Sequence, residues 1–380
     1  CGNAQNPDVM DQEKLSFLAL HATPGIGDYL LKQLIAYCGS AEQVFKQSKS
    51  RLLKIPNVGE KTVDAILARQ YFHAAERELR KAEKENVLLL TFADSLYPSR
   101  LKAIDDAPAL LYVRGTANFN HQKIVAIVGT RQATDYGKAV VEQLLAEVTR
   151  HQPIILSGLA YGIDIAAHKQ ALKHNLITVG VLGSGVDVVY PGAHKETAKK
   201  MLAEGGALIS ENPFGTQPDA HNFPARNRII AGLCDALIVV EAAMKGGALI
   251  TADIANSYQK DVFAVPGSID APFSAGCNFL IKTNKAHLLQ SVKDLEYIMN
   301  WSADDQQEKK KPTEQLSLSL SDPTEQAIVE VLRGRDTISI DDLSVHTGFA
   351  PGTLATALLS LEMQNKLVTL PGKHYRLKTR

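Results

Sequence analysis

The 380-residue sequence predicts an α/β protein built on a doubly wound parallel sheet. Six short runs rich in β-branched residues occur in the middle of the chain, and each ends in glycine or another small residue before a longer helical pattern. The runs are mostly apolar, which is typical of parallel strands covered by helices on both faces. They lie at residues 124–129, 153–158, 177–183, 207–210, 235–242 and 261–267.

The length of the chain predicts about two to three domains. Residues 300–322 are rich in charged residues, Ser, Gln and Pro and lack a bulky apolar cluster, which is the composition of a linker. Residues 1–10 are set aside as a leader, since the chain starts at Cys1 and has a methionine at Met10. We therefore predict a helical domain at 11–80, the sheet domain at 81–299, the linker at 300–322 and a C-terminal domain at 323–380.

The helical domain contains two copies of one pattern, an apolar residue followed by a Gly-centred turn and an amphipathic helix. The copies are TPGIGDYLLKQLIAYCG and IPNVGEKTVDAIL. They predict a pair of helix-hairpin-helix elements, whose turns can present backbone N–H groups to a phosphate. Gly59, Lys61 and Thr62 are candidates for that contact, and simple packing of the helices is the alternative.

Glycine-rich turns follow the predicted strands, at the ends where ligands of doubly wound sheets bind. After the first run, Gly129, Thr130 and Arg131 precede a helix, so that a close backbone approach, free N–H groups and a guanidinium are available to a phosphate. Ser157 and Gly158 begin a second such turn, SGLAYGID, and GSGVD after the third run repeats the design. Three such turns in succession predict a phosphate-binding edge of the sheet.

The turns lack the signatures of the common cofactor sites. The first reads GTRQAT rather than G-x-G-x-x-G, and no acidic residue ends the second strand, which disfavours NAD. GEKT at residues 59–62 interrupts the Walker A pattern and follows no strand, which disfavours ATP hydrolysis. No H-E-x-x-H motif or G-x-S-x-G elbow is present, so we expect neither a cofactor nor a catalytic residue.

The segment NFPARNRII is the most unusual part of the sheet domain. It crowds Phe223, Arg226, Asn227 and Arg228 into a predicted turn before a buried helix. An aromatic ring that stacks on a base, beside guanidinium groups that hold phosphates, is the combination found in sites for single-stranded nucleic acids. A capped helix with arginines for solubility is the alternative. Lys245 opens a further Gly-rich helix start after the fifth run.

Composition narrows the possible functions. Lys and Arg number 41 and Asp and Glu number 41, so any nucleic-acid site must be a local basic patch. The four cysteines form no CxxC pair, which argues against a zinc or redox site and favours a reducing compartment. No apolar run approaches the roughly 20 residues of a membrane-spanning helix, and no secretory signal is present. We expect a cytoplasmic protein without a metal site or a membrane partner.

Residues 323–378 alternate helices and short strands. They read as the helix PTEQAIVEVLRG, the run TISI, the helices DDLSVHTG and APGTLATALLSLEMQNK, and two strands about a Pro-Gly turn in LVTLPGKHYRL. This order predicts a winged helix. DNA reading would use Thr353 and Thr356 on the recognition helix, but that helix is poor in Lys and Arg, so a protein-interaction, inhibitory or stabilising role is the alternative.

Over residues 90–295, the sequence resembles the DNA-processing protein A family, DprA or Smf. The motifs that carry the resemblance, in order, are GTRQATDYG, SGLAYGIDIAAHKQAL, GVLGSGVDVVYP, ISENPFG, NFPARNRIIAGL, VVEAAMKGGALITADIA and FAVPGSID. The resemblance implies a Rossmann-like core that binds single-stranded DNA. It also implies loading of RecA onto that DNA, with displacement of single-strand-binding protein, during natural transformation, and no catalytic reaction.

The resemblance assigns site residues by position. The implied DNA pocket comprises Gly129, Thr130, Arg131, Ser157, Gly158, Phe223, Arg226 and Asn227, with Lys245 nearby. Some relatives carry a basic residue just before the aromatic position, where this chain has Asp219, Ala220 and His221. We expect weaker DNA binding than a lysine would give, since His221 is only a pH-dependent substitute.

The resemblance also implies a homodimer formed through the later part of the Rossmann-like domain, where RecA docks too. The apolar candidates are Phe279, Leu280, Ile281, Leu288 and Leu289, and their alternative role is an ordinary core strand and helix. Two other functions stay open. KGGALITAD faintly resembles the Gly-rich loop of phosphoribohydrolases, with Asp253 as the nearest acidic residue, and the winged helix could regulate in response to a nucleotide bound by the core.

Overall fold

A computed structural model describes residues 7–301, 322–332, 337–363, 366–370 and 374–377. The chain separates into two compact units, Cys1–Gln306 and Gln307–Arg380. Most of the predicted linker, residues 302–321, lies outside the described residues. Within the described part of the chain, no helix is both long enough and apolar enough to span a lipid bilayer.

Six helices open the first unit, and the helical pattern predicted for this region is present. They are α1 (Pro7–His21), α2 (Asp28–Cys38), α3 (Ala41–Lys46), α4 (Lys49–Leu52), α5 (Glu60–Leu67) and α6 (Phe72–Lys84). The first helix begins at Pro7, inside the stretch that the sequence analysis set aside. As predicted, α2 and α5 each follow a Gly-centred turn, with Gly27 and Gly59 as N-caps.

A nine-stranded sheet forms the centre of this unit. Its strands are β1 (Val87–Thr91), β2 (Leu110–Gly115), β3 (Ile124–Val128), β4 (Ile154–Ser157), β5 (Thr178–Val181), β6 (Ala207–Ser210), β7 (Ala236–Val239), β8 (Asp261–Ala264) and β9 (His287–Leu288). The spatial order is β1-β2-β6-β5-β4-β3-β7-β8-β9. β2 pairs antiparallel with both β1 and β6, and the other neighbouring strands, from β6 to β9, pair parallel. The six predicted strands are confirmed as β3 to β8.

The strand order reverses at β3. From β3 the chain moves outward through β4, β5 and β6, and then returns to the other side of β3 with β7, β8 and β9. Because β3 pairs with both β4 and β7, the connections that leave β3 and β7 diverge and open a crevice at the carboxyl ends of these strands. This crevice is where a doubly wound sheet binds its ligand.

Eight further helices surround the sheet. They are α7 (Ser99–Lys102), α8 (Asp135–Val148), α9 (Ile163–Lys173), α10 (Lys195–Ala203), α11 (Asn222–Leu233), α12 (Gly247–Ser257), α13 (Ala275–Lys282) and α14 (Val292–Met299). Alternate residues of β3 enter different cores: Ala126 packs with α11 and α12, and Ile127 packs with α8 and α9. Both faces of the sheet are therefore buried, as the continuous apolar strands predicted.

The N-terminal helices share a core with the antiparallel edge of the sheet. Leu31 of α2 and Val63 of α5 belong to the same buried cluster as Leu89 of β1 and Tyr112 of β2. The carboxylate of Asp28 also accepts a hydrogen bond of 2.9 Å from the backbone N–H that precedes β2. The helices and the sheet therefore pack as one unit.

Two of the five residues assigned to a dimer interface lie in the monomer core instead. Leu280 on α13 and Leu289 after β9 are each only 1% exposed and pack against the two faces of the sheet. Phe279 and Leu288 are exposed, and Ile281 is half-buried. The assignment of Leu280 and Leu289 is therefore wrong, because the helical and strand periods turn these two side chains inward.

The second unit has the predicted order of helices and strands. Its elements are α15 (Pro323–Leu332), β10 (Ile338–Ser339), α16 (Ile340–Thr347), α17 (Pro351–Met363), β11 (Leu367–Leu370) and β12 (His374–Leu377). The strands form an antiparallel sheet in the order β10-β12-β11, and the helices enclose a small core around Leu343 and Leu354. Thr353 and Thr356 lie exposed on α17, as predicted.

Candidate nucleic-acid interface

A cavity of about 520 Å³ opens at the carboxyl ends of β3 and β7, where the strand order reverses. Four segments line it: the loop after β3, the turn after β4 with Ala160 and Asp164, the first turns of α11, and the loop after β7 with the start of α12. Six of the nine predicted site residues come together there, namely Gly129, Thr130, Arg131, Phe223, Arg226 and Asn227. The crevice predicted from the Gly-rich turns is therefore present.

Arg131 and Phe223 contact each other in the lining of this cavity. The guanidinium carbon of Arg131 lies 5.5 Å from the centroid of the Phe223 ring, within the range of a cation–π contact. The ring of Tyr190 lies 5.9 Å from that of Phe223, at an interplanar angle of 39°. A Cβ atom at Gly183 would come 3.0 Å from the Phe223 ring, so the missing side chain lets the ring pack closely. Phe223 is thus a supported aromatic surface beside a cation.

The loop after β3 is held by Glu241, which follows β7. Its backbone oxygen accepts a hydrogen bond of 2.7 Å from the Thr130 N–H. Its carboxylate, in a residue only 3% exposed, accepts from the backbone N–H of Thr134 at 3.0 Å and from the Thr134 hydroxyl at 2.6 Å. The Thr134 hydroxyl in turn accepts from the N–H of Gly137. One N–H group in the first turn of α8, that of Gly137, is therefore capped from within the protein, and the carboxylate of Glu241 next to this helix start disfavours a phosphate there.

In the turn after β4, a carboxylate of the protein again accepts hydrogen bonds from backbone N–H groups. The Oδ2 atom of Asp164 accepts hydrogen bonds from the backbone N–H groups of Gly158 at 3.1 Å and Ala160 at 3.4 Å. Ser157 is fully buried, and its hydroxyl donates to the Ile127 oxygen at 2.6 Å. Ser157 and Gly158 therefore do not line the cavity. Gly158 instead contacts Arg226, which does line it.

In the turn after β5, the backbone N–H of Gly185 is already hydrogen-bonded within the protein. The Gly185 N–H donates to the Thr216 oxygen at 3.0 Å. The carboxylate of Asp187 accepts from the Gly215 N–H at 2.9 Å and from Lys81 at 2.6 Å, and these contacts with Lys81 and Gly215 lower the pKa of Asp187 despite its partial burial. Through the contact of Lys81 with Asp187, this turn ties the N-terminal helices to the sheet.

Arg226 is a buried part of the site. Only 4% of the residue is exposed, and its guanidinium donates to the backbone oxygens of Gly158, at 2.7 Å, and Val181. Burial lowers the pKa of Arg226 to about 10, although the nearby Asp164 opposes this shift. Burial likewise raises the pKa of Asp164, against the pull of Arg226 and the two amide hydrogen bonds. Arg226 therefore braces the cavity wall, in contrast to the exposed phosphate ligand that the sequence suggested.

The segment NFPARNRII is helical, whereas a turn was predicted. α11 begins at Asn222, directly after a short bend in which the carboxylate of Asp219 accepts from the His221 N–H at 2.8 Å. Arg228, one helical step beyond the cavity, points to the carboxylates of Glu211 and Asp28. An aspartate two residues before the N-cap can accept a hydrogen bond from a backbone N–H and form a turn, and this was the local sequence signal for the helix start.

The start of α12 remains open toward the cavity. Gly246 is its N-cap without a side-chain cap, and Gly246, Gly247 and Ala248 line the cavity wall. The first N–H groups of a helix have no intrahelical partners, and they carry the positive end of the helix dipole. Lys245 is exposed next to this helix start but does not line the cavity. This helix end is suited to a phosphate.

Sequence reasoning missed the apolar wall of the cavity and its internal carboxylates. The apolar wall includes Pro224, Ile230, Ala242 and Ile250. Asp253, the acidic candidate for a hydrolase, forms an ion pair of 2.8 Å with Lys285 and lies outside the cavity lining. The cavity thus combines an apolar wall, an aromatic ring, an exposed arginine and one open helix end.

These features define a class of protein: a doubly wound α/β protein with a basic and aromatic crevice at the switch point, followed by a winged helix. Comparison with known families identifies it further. The model of the family described as DNA recombination-mediator protein A matches residues 88–300, and that of the DprA winged helix domain matches residues 307–373. The chain belongs to the DNA recombination-mediator protein A family, DprA, and so has a role in DNA processing and recombination.

Individual relatives agree with this assignment. Protein Smf of Synechocystis sp. is 31% identical over 97% of this chain and 100% of its own length. The DNA processing protein DprA of Streptococcus pneumoniae is 40% identical over 61% of this chain and 80% of its own. The X-ray structure of the Streptococcus pneumoniae DprA superposes with a TM-score of 0.64 at 33% identity, covering 75% of this chain and 97% of that one.

A second solved structure comes from Helicobacter pylori. It is a DNA processing protein A studied for its single-stranded DNA binding mode, with a TM-score of 0.51 and 27% identity. The match covers 57% of this chain and 99% of the Helicobacter pylori chain.

Proposed function

We propose that this protein binds single-stranded DNA in the cavity at the ends of β3 and β7. The observation that carries the proposal is the pairing of Arg131 with Phe223, 5.5 Å apart, at the wall of that cavity. A base stacks on the supported ring of Phe223, while the Arg131 guanidinium and the open N–H groups at Gly247 hold phosphates. The single-stranded DNA binding described for the Helicobacter pylori relative supports this use of the fold.

We further propose that the bound strand is handed to RecA, with displacement of single-strand-binding protein, as in natural transformation. The family is one of recombination mediators, and a mediator must hold single strands without modifying them. The carboxylates beside the cavity, Asp164 and Glu241, accept hydrogen bonds from the protein's own N–H groups. They brace loops instead of activating water, and this favours binding over a hydrolase reaction. Together with RecA, the protein would act in the cytoplasm.

The proposed homodimer uses the exposed part of the sheet edge beyond β8. Phe279 and Leu288 are 37% and 41% exposed, and β9 is the terminal strand of the sheet. An edge strand and exposed apolar side chains are suited to pairing with a second copy. The same surface is our candidate for the contact with RecA.

Fluorescence anisotropy with labelled oligo(dT) and a matched duplex, at low and moderate salt, tests the binding proposal. We expect tight, salt-sensitive binding that prefers the single strand and is lost in Arg131→Ala. Arg80→Ala is the matched control, because Arg80 lies exposed on α6, away from the cavity lining. Equal binding of duplex and single strand, or full binding by Arg131→Ala, would refute the proposal.

RecA loading is tested separately, on DNA coated with single-strand-binding protein. We expect the wild-type protein to shorten the lag before RecA hydrolyses ATP on the coated strand, and Arg131→Ala not to do so. If the wild-type protein binds oligo(dT) but leaves the lag unchanged, the DNA-binding proposal stands and the proposed transfer of the strand to RecA is wrong.

A further inference from the structure

A second cavity lies next to the first and is not used by the proposed site. Its volume is about 470 Å³, and it is formed by the loop after β3 and the first turns of α9. The side chains that matter in its lining are Arg131, Lys138, Tyr161, Lys169 and Gln170. Arg131 lines both cavities, so the two cavities adjoin at this residue.

Gly162 fixes this arrangement. Its φ is +78°, and a Cβ atom there would come 2.1 Å from the Thr130 oxygen and 2.8 Å from the Cα of Arg131. The next residue, Ile163, donates its N–H to the same Thr130 oxygen at 3.1 Å. A glycine is required where the loop after β3 presses on the start of α9. Tyr161, directly before Gly162, is therefore held at a constant position relative to Arg131.

Tyr161 offers a second aromatic surface. The residue is 49% exposed, and its ring packs edge-on against His194, with centroids 4.9 Å apart and an interplanar angle of 71°. His194 is itself only 6% exposed and is anchored by a contact of 2.8 Å between its Nδ1 and the Leu159 oxygen. A ring that is held on one edge loses little conformational freedom when a base stacks on it.

The polar groups of this cavity match a nucleotide. Lys169 is exposed and forms no ion pair among the described residues, whereas Lys138 is partly neutralised by Asp135 at 3.1 Å. The Oε1 atom of Gln170 is buried and, within the described part of the chain, has no hydrogen-bond partner. A buried acceptor left unpaired is costly, and the N–H of a base can satisfy it.

We propose that the second cavity is a subsite for the adjoining nucleotides of the same DNA strand. A base stacks on Tyr161, the intervening phosphate lies between Arg131 and Lys169, and Gln170 accepts a hydrogen bond from a base. The shared Arg131 favours one continuous strand over a separate mononucleotide, because one guanidinium contacts phosphates on both sides. This inference rests on the proposed binding of single-stranded DNA.

A series of oligo(dT) lengths tests the subsite. Affinity is measured for oligonucleotides of increasing length, beginning with the shortest that binds. The proteins compared are wild type, Tyr161→Ala, Tyr161→Phe and Lys169→Gln. We expect Tyr161→Ala to weaken binding of the longer oligonucleotides by roughly tenfold, the effect of one lost stacked base, and to leave the shortest unchanged. Tyr161→Phe keeps the ring and should bind like wild type. Tyr297→Ala is the control, since Tyr297 is 85% exposed on α14 and outside both cavities.

Photocrosslinking gives a second readout that does not depend on a variant. We expect an oligonucleotide carrying one 5-iododeoxyuridine to crosslink to Tyr161 from one position along the strand and to Phe223 from another. Equal binding by Tyr161→Ala and wild type at all lengths, or an equal loss at all lengths, would overturn the subsite. If Arg131→Ala abolishes binding in the same series, the proposed function stands without the subsite; if it has no effect, both fail.

Discussion

Arg131 and Phe223 contact each other in the cavity wall, with the guanidinium carbon 5.5 Å from the ring centroid. They come from different elements, the loop after β3 and the first turn of α11, so the folded sheet brings them together. The contact keeps an otherwise flexible, exposed arginine beside the surface on which a base can stack. A nucleotide thus meets its cation and its stacking surface already in place, which reduces the entropy lost on binding.

Arg131→Lys separates charge from planarity at this position. A lysine keeps the positive charge but loses the flat guanidinium, so we expect weaker single-strand binding, by about five- to tenfold, with an unchanged salt dependence. Anisotropy titrations at several salt concentrations measure both quantities. A lysine variant with wild-type affinity would show that planarity is irrelevant.

The crevice could be predicted from the sequence because it depends on strand order and turn composition. Short apolar runs ending in glycine predicted β3 to β8, and the ends of parallel strands lie at one edge of a sheet. Gly129 and Arg131 were identified for that reason, whereas Phe223 was identified from the aromatic and basic side chains of NFPARNRII, and all three line the cavity.

The internal carboxylates could not be predicted, because their partners are distant in the chain. Glu241, after β7, accepts hydrogen bonds from Thr134, the N-cap of α8, and Asp187 accepts one from the Gly215 N–H. A Gly-rich turn has the same sequence whether its amides bind a phosphate or an aspartate of the protein. The antiparallel strands β1 and β2 were also missed, because they have no Gly-rich turn and no following helix of the repeating pattern.

Gly158→Ala should destabilise the fold. Its Cβ would lie 2.6 Å from both terminal nitrogens of Arg226 and from the Oδ2 atom of Asp164, and both of these side chains are buried and hydrogen-bonded to the backbone. We expect a loss of about 1–3 kcal/mol in the free energy of unfolding, measured by denaturant titration. Gly192→Ala is the matched control, because the added Cβ would have no neighbour within 4 Å. Equal stability of the two variants would mean that the wall around Arg226 can relax.

Substitutions at α13 distinguish a dimer surface from the core. Phe279 is 37% exposed, so Phe279→Arg should leave a folded protein whose mass by light scattering is that of a monomer. Leu280 is 1% exposed, so Leu280→Arg buries a charge and should unfold the chain, at a cost above about 3 kcal/mol. A folded dimer of Phe279→Arg would rule out this face as the interface.

His221→Lys restores a lysine near the aromatic position, at the rim of the cavity, where some relatives carry a basic residue and this chain does not. His221 is exposed at the N-cap of α11, two residues before Phe223. A lysine adds a permanent charge near the strand, so we expect tighter single-strand binding at neutral pH and a salt slope steeper by about 0.7. The salt titration used for Arg131 measures this. Unchanged affinity and slope would show that no phosphate passes this position.

His168 should make the stability of the protein depend on pH. The side chain is fully buried on α9, its Nδ1 lies 2.7 Å from the Thr178 hydroxyl, and its Nε2 has no partner among the described residues. Burial, together with the charges of His194 and Arg226, lowers the pKa of His168 to about 3. The unfolded chain, with a histidine pKa near 6.5, therefore binds the proton more tightly than the folded one.

Stability should accordingly fall as the pH drops from about 6.5 toward 3, because protons drive the chain to the state that binds them. For this one group we expect roughly 2 kcal/mol to be lost between pH 8 and pH 5. Denaturant unfolding across this range, for wild type and His168→Asn, isolates the effect, since asparagine can keep a hydrogen bond to Thr178 but does not titrate. His73→Asn is the control, because the His73 side chain is 87% exposed. If the wild-type and His168→Asn curves stay parallel from pH 8 to pH 5, the protein accommodates a charged His168, and the cavity floor beside Arg226 is more open to water than the structure indicates.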